Sequence, residues 1–142
     1  MKIENQVVTI EQAKKLKELG VTQDTLYAFY HHWEINKMVY SLMLKDSDSI
    51  NESFAAPTVA ELGVMLPPMF RTYHERKKGM WYCKYKGHWT EDFKTEAEAR
   101  AAMLIYLLGN HLTTPEEVNQ RLTNLTFHDI KENDILLIEN KK

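Results

Sequence analysis

The chain has 142 residues, 44% of them hydrophobic and 27% charged, with a formal net charge of −2 at pH 7. Those values fit one globular domain whose core needs no covalent or metal staple, and they exclude a disordered polymer. They also exclude attraction of the whole molecule to nucleic acid or an anionic membrane, which only a local basic patch could supply.

Residues 1–6 hold no apolar run of the signal-peptide kind. The first helix follows. Thr9 and Gln12 form a capping-box pair, Gly20 offers a left-handed stop, and Ile10, Ala13, Leu16 and Leu19 recur along one stripe. From Thr25 to Trp33 an aromatic-rich run predicts a strand. Met38 to Lys45 alternates and predicts its partner, with Met38, Tyr40, Leu42 and Leu44 on one face and Glu34 to Lys37 as the turn. The polar, serine-rich stretch from Asp46 to Ala56 predicts a loop. A second helix opens at Pro57-Thr58, capped by Thr58 with Glu61, and closes before Pro67-Pro68.

Met69 to Glu75 and Met80 to Lys86 predict a second hairpin around the turn Arg76 to Gly79. In its second arm Trp81, Cys83 and Tyr85 point one way while Tyr82, Lys84 and Lys86 point the other. Gly87 opens a further turn, and a short strand is expected over His88 to Phe93. The next helix is capped by Thr95 with Glu98, and Ala97, Ala101, Leu104 and Leu108 form its inner stripe. Met103, Ile105, Tyr106 and Leu107 widen that stripe. Such a helix is either sandwiched in the core or shared with another subunit, so Met103, Tyr106 and Leu107 are candidate subunit-interface residues. A fourth helix starts at Thr114-Pro115 with Glu117 completing its box, and Ile135 to Ile138 offers one more strand.

The fold class expected is α+β: an antiparallel sheet built from two hairpins with helices packed on it, in the order α-ββ-α-ββ(β)-α-α-(β). One domain covers residues 1–142, with 113–142 as a C-terminal extension. An echo between Thr58-Val59-Ala60-Glu61 and Thr95-Glu96-Ala97-Glu98 leaves a duplicated ββα unit as an alternative arrangement. The longest apolar run, Ala101 to Leu108, is far below the roughly 20 residues of a membrane span. With one cysteine and hence no internal disulfide, a cytoplasmic protein with no membrane partner is expected.

No catalytic motif is present, so no enzyme activity is expected. The five glycines are isolated, which leaves no phosphate-cradling loop, and no serine sits in a nucleophile elbow. Cys83, between Trp81 and Tyr85 on one strand face, reads as a small buried hydrophobe before it reads as a nucleophile. His74, Cys83 and His88 could converge on a zinc ion, but no pair has close ligand spacing, so neither metal nor cofactor is expected. Residues 11–27 resemble a helix-turn-helix only superficially: the second segment, from Thr22 to Tyr27, carries no Lys or Arg to meet phosphates or guanine.

The second hairpin does carry binding chemistry. Arg71, Arg76, Lys77, Lys78, Lys84 and Lys86 are interleaved with Tyr73, Trp81, Tyr82, Tyr85 and Trp89. Cations that follow phosphates beside aromatics that stack on bases are the ingredients of single-strand recognition. Arg76, Lys77, Lys78, Tyr82, Lys84 and Lys86 are therefore the candidate nucleic-acid contacts. The other reading is a solvated edge whose lysines prevent sheet-to-sheet aggregation, with Glu75, Glu91 and Asp92 diluting the charge.

Ile10 to Gly20, then Ala56-Pro57-Thr58-Val59-Ala60-Glu61-Leu62-Gly63 with Met65-Leu66-Pro67, resemble small uncharacterised proteins of Bacteroides-type phages and prophages. Thr95-Glu96-Ala97-Glu98-Ala99-Arg100-Ala101 with Met103 to Leu107 belongs to the same pattern. The central part is also similar to small phage proteins in which two helices sandwich an antiparallel sheet. The resemblance implies a mobile-element origin and transfers no functional residue. Two functions are expected from these readings: a non-enzymatic accessory protein acting through protein–protein contacts, including a homodimer, or a nucleic-acid-binding module using the hairpin over 71–89.

Overall fold

The structure, a computed structural model, describes residues 2–44 and 53–124, apart from the side chain of Trp33. It is an α+β fold. Three helices, α1 (Ile10–Glu18), α2 (Val59–Met65) and α3 (Glu96–Gly109), start at complete capping boxes. The hydroxyls of Thr9, Thr58 and Thr95 accept from the N–H groups of Gln12, Glu61 and Glu98 at 3.1–3.2 Å. Those three side chains accept in turn from the threonine N–H groups, so two otherwise orphaned donors are satisfied at each start. α1 ends where Gly20, at φ +91°, turns left-handed and lets the Val21 N–H reach the Leu16 carbonyl at 3.0 Å. A Cβ there would also lie 3.1 Å from Cβ of Pro115, so the close approach of the helix over 115–124 needs the same glycine.

The two expected hairpins form, but in two separate three-stranded antiparallel sheets. In the first, β1 (Tyr27–Glu34) lies between β2 (Lys37–Leu44) and β3 (Ser53–Ala55). Ile35 and Asn36 make the tight turn, both with positive φ, which matches the twist of the flanking strands. β3 corrects the expectation of a loop from Asp46 to Ala56. Phe54, set in polar sequence, pairs across from Phe29 and packs on the core beneath the ammonium groups of Lys14 and Lys17. The rest of that stretch, from Asp46 to Glu52, lies outside the described residues, as does the strand expected over Ile135 to Ile138.

The second sheet is a meander of β4 (Arg71–Glu75), β5 (Met80–Tyr85) and β6 (His88–Trp89). Its order differs from that of the first sheet, where the central strand comes first in the chain. The expected strand from His88 to Phe93 is cut short because the Thr90 hydroxyl, at 2.8 Å, accepts the Cys83 N–H that a continued ladder would use. Phe93 then rejoins through paired bonds with Trp81, each 2.7 Å.

α3 is the centre of the molecule, packing on β4 and β5 and also on α1 and α2. Ala97, Ala101, Leu104 and Leu108 are buried as the stripe predicts, and so is a second stripe of Ala99, Met103 and Leu107. A helix buried on two stripes is sandwiched. Of the candidate subunit-interface residues, Met103 is 0% and Leu107 1% exposed within a single chain, so these two side chains serve its own core, while Tyr106 stacks on His88 with ring centroids 3.5 Å apart. Tyr106 is only partly buried.

A fourth helix, α4, occupies 115–124 up to the last described residue. Its Val118 and Leu122 join the same core as Val7, Leu16 and Leu62, so the described part of the expected extension is integral to the domain. Asn119 ties it to the end of α1, accepting from Thr22 N–H at 2.7 Å and donating to the Gly20 carbonyl at 3.0 Å. Among the described residues no helix is long and apolar enough to cross a membrane.

Candidate functional site

The second sheet has two chemically different faces. Thr72 pairs with Cys83, His74 with Trp81 and Tyr85 with His88 on the face turned to α3. Arg71 pairs with Lys84, which pairs with Trp89, while Tyr73 pairs with Tyr82 and Glu75 with Met80 on the opposite face. Strand alternation dictates this division. It separates the hairpin aromatics: Trp81 and Tyr85 pack into the core, and Tyr73, Tyr82 and Trp89 stand outside.

Those three outer rings touch one another. Tyr73 stacks on Tyr82 at 5.1 Å and 17°, Tyr82 meets Trp89 at 5.4 Å, and Tyr73 lies 6.1 Å from Trp89. Their planes differ by 35° or less, so they form an overlapping aromatic platform. Trp89 is 50% exposed, a large apolar side chain left in water. The Lys84 ammonium sits 4.4 Å from the Trp89 ring centroid, within cation–π range, and Arg71 lies across the strand from it.

Of the candidate nucleic-acid contacts, only Tyr82 and Lys84 belong to this platform. Lys86 lies in the turn beside it, at φ +45°, with its ammonium 5.4 Å from the Tyr85 ring. Arg76, Lys77 and Lys78 lie in the opposite turn, about 13 Å along β5 at a strand's rise per residue. Lys78 is 3.7 Å from Asp92, an exposed pair that leaves its charge largely free. The cations thus fall into two groups with the aromatic rings between them. From Arg71 to Trp89 six cations face one carboxylate, Glu75, in a molecule whose net charge is −2. Arg71, Tyr73 and Trp89 complete the site. Alternation alone puts Arg71 and Tyr73 on one face, but placing Trp89 there needs the Lys84–Trp89 pairing.

The remaining reactive groups are held apart. His74 stacks on Trp81 at 4.5 Å and His88 on Tyr106, with Cys83 buried between their strands. Among the described residues no three His, Cys, Asp or Glu side chains could share a metal ion. Burial pushes the Cys83 thiol up to about 11, against the opposing pull of the Arg100 guanidinium, so it is a neutral, unreactive thiol at pH 7.

Arg100 itself is a structural tie. It bonds Glu96 Oε1 at 2.6 Å, the Val59 carbonyl at 2.8 Å and Thr72 Oγ1 at 3.3 Å, and lies over Phe70. An apolar cleft of about 540 Å³ between α2 and α4 has Arg121 as its charged lining residue. That guanidinium is engaged with the Met65 carbonyl at 2.9 Å and Glu117 at 3.7 Å. Among the described residues, the outer face of β4–β6 brings three aromatic rings into mutual contact beside Lys84 and Arg71. Comparison with protein-family models, curated proteins and solved structures gives no match to this chain.

Proposed function

We propose that this chain is a non-enzymatic binding module that holds single-stranded nucleic acid against the outer face of β4–β6. The observation that carries the reading is the contact cluster of Tyr73, Tyr82 and Trp89 on an exposed sheet face, with Lys84 and Arg71 beside it. Each base stacked on such a ring contributes about 1–3 kcal/mol without regard to its identity. Lys84, Lys86 and Arg71 at one end and Arg76, Lys77 and Lys78 at the other would follow the phosphates. The span suits two or three nucleotides, so affinity is expected in the micromolar range, roughly −8 kcal/mol. Duplex is a poor ligand, since its bases are already stacked. The resemblance to phage and prophage proteins supports a cytoplasmic accessory role on a mobile element.

The test is an anisotropy titration with labelled single-stranded and duplex oligonucleotides at about 50 and 200 mM salt. The expected result is saturable single-strand binding whose affinity falls with salt at roughly −0.7 log units per phosphate contacted. Tyr82→Ala and Lys84→Ala should each weaken it. Absence of binding at the lower salt sinks the proposal. Equal affinity for duplex would sink the stacking mechanism, and capture of a proline-rich peptide on the same rings would replace the ligand class.

A further inference from the structure

The first sheet ends on β2, which among the described residues hydrogen-bonds β1 alone. Glu34 and Lys37 flank a two-residue turn, and such a flanking pair exchanges both backbone bonds. Alternation from that pair directs the N–H and C=O groups of Lys37, Val39, Ser41 and Met43 toward β1. Those of Met38, Tyr40, Leu42 and Leu44 point outward. Within Lys37–Leu44 there is no proline or bulge, and after Lys37 no charge, so the strand itself carries none of these edge-protecting features. Met38, Met43 and Leu44 are exposed large hydrophobics, at 38%, 56% and 65%.

We infer that β2 is a self-pairing edge whose occupant is β2 of a second copy, antiparallel across a two-fold axis at Ser41. That register sets Tyr40 opposite the partner's Leu42, Met38 opposite the partner's Leu44, and Val39 opposite the partner's Met43. It uses every outward-directed backbone group of the strand, in about eight hydrogen bonds. Shifting the axis by one residue to position 40 or 42 leaves about a quarter of them unmade. The same register matches every exposed apolar side chain of β2 with an apolar one. Two three-stranded sheets become one of six strands, and the dimer carries two copies of the β4–β6 face, giving a long strand of nucleic acid two attachment points. The pairing itself is independent of what that face binds.

Sedimentation velocity from low micromolar to several hundred micromolar tests this on the full chain, with circular dichroism confirming that each variant is folded. Wild type should pass from monomer to dimer. Met38→Lys with Leu44→Lys, both at exposed positions, places two introduced ammonium groups opposite each other at each end of the pairing. Association should weaken about tenfold or more. Met38→Lys with Leu44→Glu places opposite charges at the same two positions and should restore it. A wild type that stays monomeric overturns the inference. So does a double-lysine variant that dimerises like wild type, or a Lys/Glu variant no better than the double-lysine one.

Discussion

Cys83 offers a sharp test of how the core is packed. The thiol is fully buried beneath α3, and its pKa rises from 9.0 to about 11 because the thiolate would be desolvated. The unfolded chain therefore loses this proton near pH 9, whereas the folded chain keeps it to about 11. In that window the unfolded state binds fewer protons than the native state, so stability falls as pH rises. The contribution is intact below pH 9, declines between 9 and 11, and levels off above. At about 1.36 kcal/mol per pH unit the full loss is about 2.7 kcal/mol.

Urea denaturation of wild type and Cys83→Ala from pH 8 to 11 isolates the effect, because both proteins share every tyrosine and lysine. Removing the buried sulfur costs about 1–2 kcal/mol, so the variant should be the weaker protein at pH 8. The difference should shrink above pH 9 and reverse by about pH 11. A gap that stays constant across this range would refute the account of a desolvated thiol.

Arg100→Met keeps the volume but strands the Val59 carbonyl and the Glu96 carboxylate; unfolding free energy should drop by about 3–5 kcal/mol, and adding Glu96→Gln should recover part of it. Leu104→Ala opens a cavity at the middle of the sandwiched helix and should cost about 2–5 kcal/mol in the same assay. Ile35 is a β-branched residue at φ +46° and 97% exposed, so Ile35→Asn should raise stability by about 1 kcal/mol, read as a higher Tm.

Much of the architecture was legible because its signals are local. The threonine capping boxes, the stop at Gly20, the Pro67-Pro68 break and the alternation of β5 each depend on neighbours within a few residues. What escaped depends on distant pairing. β3 is three residues at the end of a polar stretch, made into a strand where Phe54 meets Phe29. The division into two sheets cannot be read from two hairpin patterns that look alike. The breadth of the apolar surface on α3 admitted either a core or a shared helix; only the packing of α1, α2 and the second sheet around it decides for the core. The candidate site was half legible for the same reason. Basic and aromatic residues were visibly interleaved, yet the strand register turns Trp81 and Tyr85 inward and brings Trp89 to Tyr82.

The most direct test of the binding account is to record backbone amide and tryptophan indole NMR shifts while a single-stranded oligonucleotide is added. The account predicts shifts concentrated at Arg71, Tyr73, Tyr82, Lys84 and the Trp89 indole, with the Trp81 indole little changed, and their loss in Trp89→Ala. Shifts centred on any other surface, or none at concentrations where the oligonucleotide should bind, would contradict it.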